Sequence, residues 1–163
     1  MPDEADRDTG PPWPAWPDGF AATDEDRRAL LVLSALRTIT PRRLIALAVR
    51  HRTAATVLAH IRDGRAGSDG DRRFARSSDP EALAARAQAC GARFVTWGSP
   101  EYPTQLEQIH DPPAGLYVIG AGLPDVTSAV AIVGARRCTA SGREHAADLG
   151  RALGLAGVTV VSG

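Results

Sequence analysis

The chain of 163 residues contains no lysine; all 19 of its basic residues are arginine. A Walker A loop needs a lysine to reach phosphate, and Schiff-base chemistry needs an amine. P-loop ATPase and amine-based covalent catalysis are therefore excluded within these residues. Cysteine is nearly as scarce. Cys90 and Cys138 alone make no disulfide framework and suit a reducing compartment. No run of eighteen apolar residues occurs, and the opening residues lack the basic-then-apolar order of a signal peptide. These absences predict a soluble, cytoplasmic protein with no membrane contact. The four histidines (His51, His60, His110, His145) show no metal-ligand spacing, and no His or Asp is placed beside Cys138 to make it a nucleophile. No catalytic residue, metal site or cofactor is assigned.

Net charge is zero, yet the charge is unevenly distributed. Residues 1–26 hold eight acids and one base, a sum of −7, so the remainder holds 18 bases and 11 acids, a sum of +7. An acidic leader precedes a basic body, a pattern compatible with a nucleic-acid partner.

Four stretches follow along the chain. Residues 1–22, centred on PPWPAWP, are too rich in proline and acid to bury much surface and are expected to be disordered, with docking of Trp13 and Trp16 on a partner or on the body of the protein as the alternative. Residues 23–63 show three short helical patterns. Thr23 opens the first, with Ala29, Leu30, Leu33, Leu36 and Ile39 on one face. Thr40-Pro41 opens the second, with Leu44, Leu47 and Ala48. The third, Thr53 to Ile61, carries Val57, Leu58 and Ile61. Residues 64–78 read as a linker by their Gly, Asp and Ser content. Residues 79–163 then switch to alternating helix and strand: a helix from Glu81 to Cys90, a strand at Arg93–Trp97, a short helical turn after Tyr102-Pro103, and a strand at Leu116–Ile119. Trp97 and Tyr102 read as core aromatics rather than base-stacking platforms.

The last stretch, VAIVGARRCTASGREHAADLGRALGLAGVTVVSG from Val130 to Gly163, carries the chemistry. Val130–Val133 and Val158–Val161 are short apolar runs expected as parallel strands buried on both faces. Ser141 and Glu144 form an S-x-x-E capping box, which predicts a helix start close to Ser141. Ala146, Leu149, Leu153 and Ala156 recur at helical spacing before Gly157 supplies a stop. The unit is a βαβ crossover, whose ligands lie at the carboxyl ends of the strands. Gly134, Ala135, Arg136 and Arg137 occupy one such end, Ser162 and Gly163 the other. Two planar arginine forks beside a helix N-terminus suit phosphate. Thr139, Ser141 and Gly142 are weaker hydroxyl or amide donors. Arg136 stands where the second glycine of G-x-G-x-x-G would be, so dinucleotide binding is not expected.

IVGARRCTASG followed by AGVTVVSG, with YPTQLEQIHDPPAGLYVIG upstream, resembles the DprA/Smf family of bacterial DNA-processing proteins over about Tyr102 to Gly163. The resemblance implies a small helical domain of sterile-alpha-motif or helix-hairpin-helix character followed by a Rossmann-like domain, here incomplete. It implies sequence-independent binding of single-stranded DNA in the Gly134–Arg137 pocket, loading of RecA during natural transformation, and homodimerisation of the full-length protein. In the family the sheet continues after the Ser-Gly pair with a Gly-x-Ala-x-Gly-Ile-Asp stretch, so a truncated Rossmann-like domain is expected. An alternative for the same loop is a nucleotide-phosphate-binding enzyme of the lysine-decarboxylase-like phosphoribohydrolase type. That enzyme would need a further glycine-rich loop with Arg and Glu.

Overall fold

The structure, a computed structural model, describes residues 15–122, 126 and 128–162. Trp13 and Gly163 lie outside the described residues. The chain forms two compact units, residues 1–123 and 124–163. The fold is mixed α/β, with a helical first part followed by short strands.

In the first unit, hydroxyl caps set the helix starts. Thr23, Thr40, Thr53 and Ser68 each accept a hydrogen bond from the backbone three residues on, opening α1 (Asp24–Ser34), α2 (Pro41–His51), α3 (Ala54–Arg62) and α4 (Asp69–Ser77). Asp79 caps α5 (Pro80–Ala89), with Pro80 in the first turn where its missing N–H costs nothing. The apolar stripes expected of the first three helices meet in part: Leu36 and Ile39 are buried but lie beyond α1, and Leu47 is only partly buried. Leu30, Leu33, Leu44, Ala48, Val57, Leu58 and Ile61 are all buried in one core.

Two buried carboxylates tie the helices together. Asp26 accepts from its own cap, Thr23 Oγ1 at 2.6 Å, and from Ala55 N at 3.1 Å across in α3. Asp71 accepts from Ser68 Oγ at 2.9 Å, from Arg37 N at 3.0 Å and from the Thr38 hydroxyl, which pins α4 to the turn between α1 and α2. Burial alone would raise the pKa of Asp71. The donors from Thr38, Ser68 and Arg37 outweigh it and bring it to about 2.

Two sequence expectations are corrected here. The stretch 64–78, read as a linker, holds α4. Its glycines and charges hide a Ser68/Asp71 capping box and one buried apolar residue, Ala75, which together with the buried Asp71 docks a two-turn helix. Trp16, expected in a disordered leader, is buried. It stacks on Phe20 at 5.0 Å and donates Nε1–H to Pro112 O at 3.0 Å. Its apolar area gives this proline-rich segment something to bury.

After α5, β1 (Ala92–Thr96) pairs antiparallel with β2 (Gly115–Ile119), Phe94 facing Tyr117. The connection contains only the four-residue α6 (Thr104–Glu107), too short for the crossover that a parallel pair requires. A Cβ on Gly115 would lie 2.3 Å from Phe94 Cζ, so the ring closes over bare backbone. Tyr102 is buried beside Val95 and Val118 and donates its hydroxyl to Pro113 O at 2.7 Å, a core role as expected.

The second unit is the βαβ crossover. β3 (Ala129–Ile132) and β4 (Thr159–Ser162) are parallel, with Ile132 opposite Ser162, and α7 (Ala140–Leu155) joins them. Gly157 adopts φ 77° just past the helix, the left-handed stop expected of it. Burial on both strand faces is not found. Val130 and Val161 are 38% and 55% exposed, because within this unit one helix can cover only one face. The stripe of α7 is also shifted. Ala146, Gly150 and Leu153 are half-buried while Leu149 and Ala156 are exposed, and Gly150 lets Ile132 Cδ1 approach its Cβ position to 3.7 Å.

Candidate nucleic-acid interface

Parallel pairing puts the carboxyl ends of β3 and β4 at one edge, so the loop that begins at Val133 and the Ser162 terminus of β4 leave the ladder together. Val133 to Thr139 then run without helix or strand, with a turn at Arg136-Arg137. Every residue from Val133 to His145 is exposed. Gly134 has no neighbour within 4 Å of where a Cβ would stand, so its backbone faces open space.

Arg136 and Arg137 have no hydrogen bond or ion pair with any other described residue. No acid occurs from Ala129 through Arg143, whereas three arginines do. Arg143 was not singled out by the sequence. It sits in the first turn of α7, and its signal was the lack of any acid where a helix start ordinarily favours one.

The cap stands two residues earlier than the S-x-x-E pattern indicates, while the helix itself starts at Ala140, close to the expected place. Thr139 is the cap, its Oγ1 accepting from Gly142 N at 3.1 Å, while Ser141 Oγ lies 3.4 Å from His145 Nδ1. Thr139 satisfies the cap geometry first, which leaves Ser141 inside the turn. The Thr139 hydroxyl and the Gly142 amide are thus engaged with each other. The amides of Ala140 and Ser141, at the first two helical positions, have no intrahelical partner and lie at the positive end of the helix dipole. The loop therefore gathers two unpaired guanidinium forks, exposed backbone at Gly134-Ala135 and two free amides beside the end of β4. This arrangement suits a phosphate-bearing ligand. Cys138 is a free, exposed thiol in the same loop. Among the described residues no three His, Cys, Asp or Glu side chains gather as metal ligands, and no helix is long and apolar enough to cross a membrane.

Residues 93–163, from the second residue of β1 onward, match the family model described as DNA recombination-mediator protein A. This part of the chain is similar to that family. The match takes in β1, β2 and the whole βαβ unit and leaves α1 to α5 outside it. No curated protein matches the chain.

Proposed function

We propose that this chain binds single-stranded DNA without regard to sequence, protects it, and passes it to a RecA-type recombinase during natural transformation. The observation that carries this reading is the Arg136–Arg137 pair at the strand-end loop, without a partner among the described residues and within the segment similar to the DNA recombination-mediator family. Guanidinium forks neutralise phosphates and release counterions, which gives affinity without base readout. Gly134, Ala135 and the Ala140 and Ser141 amides let the backbone approach, and Ser162 stands at the other strand end of the same edge. The protein acts by binding and not by turnover, works in the cytoplasm, and pairs as a homodimer.

Anisotropy of labelled oligonucleotides across a salt series tests the reading. Arg136→Ala should weaken binding equally for oligonucleotides of different sequence and flatten the log–log salt slope by about 0.7, the value per phosphate on a single strand. A loss confined to one sequence contradicts it. Release of free base from a nucleoside monophosphate would replace it with hydrolase chemistry. The hand-over is read separately, as faster RecA filament formation on single-stranded DNA when the chain is present.

A further inference from the structure

From Arg27 to Arg62 the sequence has eight arginines and no acid. Helix α2 lies in the middle of this run. It turns Leu44, Ile45 and Ala48 into the core, and Arg43, Leu47 and Arg50, spaced i, i+4, i+7, form a stripe along another side. Arg65, from the loop between α3 and α4, joins them around a groove of about 380 Å³ floored by Ile39, Leu47 and Ala66. Gly67, at φ 75°, closes the groove with bare backbone. A side chain there would meet Ile39 Cδ1 at 3.5 Å and Asp71 Cβ at 3.2 Å.

No carboxylate lines this groove. Arg50 has no partner among the described residues. Arg43 reaches only Thr38 O at 3.4 Å, and Arg65 only Asp63 at 3.9 Å. Solvated arginine faces ordinarily interleave with acids at i±3 or i±4, and a face without them repels itself until an anion arrives. The field is felt next door. The His51 imidazole is held below its ordinary pKa by burial, then by His60, Arg50 and Arg65.

We propose that this groove is a second contact for single-stranded DNA, holding its sugar–phosphate backbone between Arg43, Arg50 and Arg65. The proposal rests on the single-stranded DNA reading of the Arg136–Arg137 loop, and it extends binding to a helical region outside the family match. No aromatic ring lines the groove, so it offers phosphate contact without base stacking and keeps binding blind to sequence. A flexible single strand can follow a recessed groove of this size, whereas a rigid duplex presents its phosphates on a convex surface.

The test uses the full chain, a labelled oligothymidylate, a blunt duplex of equal length, and the variants R50Q, R50K, R65Q and R136A. R50Q and R65Q should each weaken oligothymidylate binding and flatten the salt slope by about 0.7, with R50K retaining the slope. In the unsubstituted chain, oligothymidylate should move the NMR titration of His51 to higher pH, because phosphate cancels the field of Arg50 and Arg65. Loss with R136A and none with R50Q or R65Q overturns the groove and leaves the loop. Loss with R50Q and R65Q and none with R136A keeps the groove and removes the loop. No loss with any variant overturns both. Equal affinity for the duplex overturns the assignment to single strands. Both glutamine variants replace exposed side chains, and a far-UV spectrum matching the parent confirms that they fold.

Discussion

Trp16 donates its indole N–H to the carbonyl of Pro112, 96 positions away, at 3.0 Å, while its ring stacks on Phe20. This contact fastens the segment ahead of α1 to the turn that feeds β2, within the first unit. Trp16→Ala should destabilise that unit by about 3–5 kcal/mol, the range for emptying a buried aromatic site. Trp16→Phe keeps much of the apolar contact and should cost about 1 kcal/mol for the lost hydrogen bond. Urea unfolding followed by circular dichroism separates the two. Equal costs would show that the hydrogen bond, not the packing, is what matters.

Asp71 makes the first unit acid-sensitive. Its folded pKa, about 2, is below the ordinary carboxyl value of 3.8, so the folded state favours the ionised form. The resulting stability is fully present above about pH 4 and is lost as pH falls toward 2. Asp71→Asn should remove that part of the acid dependence and lower stability at neutral pH by about 2 kcal/mol, since the cap and the Arg37 and Thr38 donors lose their carboxylate. Thermal unfolding at pH 3 and pH 7 should show the variant and parent closer together at the lower pH.

His51 acts in a different window. Its folded pKa is lowered from 6.5, first by burial and then by His60, whose ring lies 4.2 Å away, and by Arg50 and Arg65. A histidine with a depressed pKa contributes stability that is complete above the unfolded value. That contribution is lost as pH falls below 6.5 and through the folded value. The urea midpoint should therefore drop between pH 7.5 and pH 5, and His51→Gln should flatten the drop. An unchanged pH profile in the variant would remove His51 from this role.

The cap of α7 offers a direct comparison. Thr139→Ala should destabilise the second unit by about 1 kcal/mol, because Gly142 N loses its acceptor. Ser141→Ala should change stability by less than about 0.5 kcal/mol, as an exposed residue inside the first turn. Amide hydrogen exchange at Gly142 and Arg143 reads the difference locally. The reverse order would restore Ser141 as the cap.

The parts of this fold that were legible in the sequence are those governed by local chemistry. Thr23, Thr40 and Thr53 are caps in the structure as in the pattern, and Gly157 is the left-handed stop. Most of the apolar stripes of α1 to α3 also read through, although α1 ends at Ser34, before Leu36 and Ile39, and Leu47 is only partly buried. What was illegible depends on distant partners. Trp16 is buried only because Pro112 and Phe20 come to it, and α4 docks a single alanine beneath a polar surface. Ser141 matched the cap pattern, but Thr139 stands two residues earlier and takes the role, which spacing cannot decide. At the candidate interface, Arg136 and Arg137 were identified from their place after a strand-ending glycine. That they stand without partners among the described residues depends on the folded neighbourhood and not on spacing.

The parallel register of β3 and β4 has a thermodynamic consequence. Ile132 pairs with Ser162, so the two strand ends of the proposed site are separate in sequence and adjacent only while the crossover is closed. Under the proposed function, a strand of DNA touching both ends would recognise the folded unit and not its unfolded chain. Occupancy and closure then share one equilibrium. At a hundredfold excess over Kd the gain is about 2.7 kcal/mol. That is a substantial fraction of what two short strands and one helix, with Val130 and Val161 partly in water, can supply by themselves.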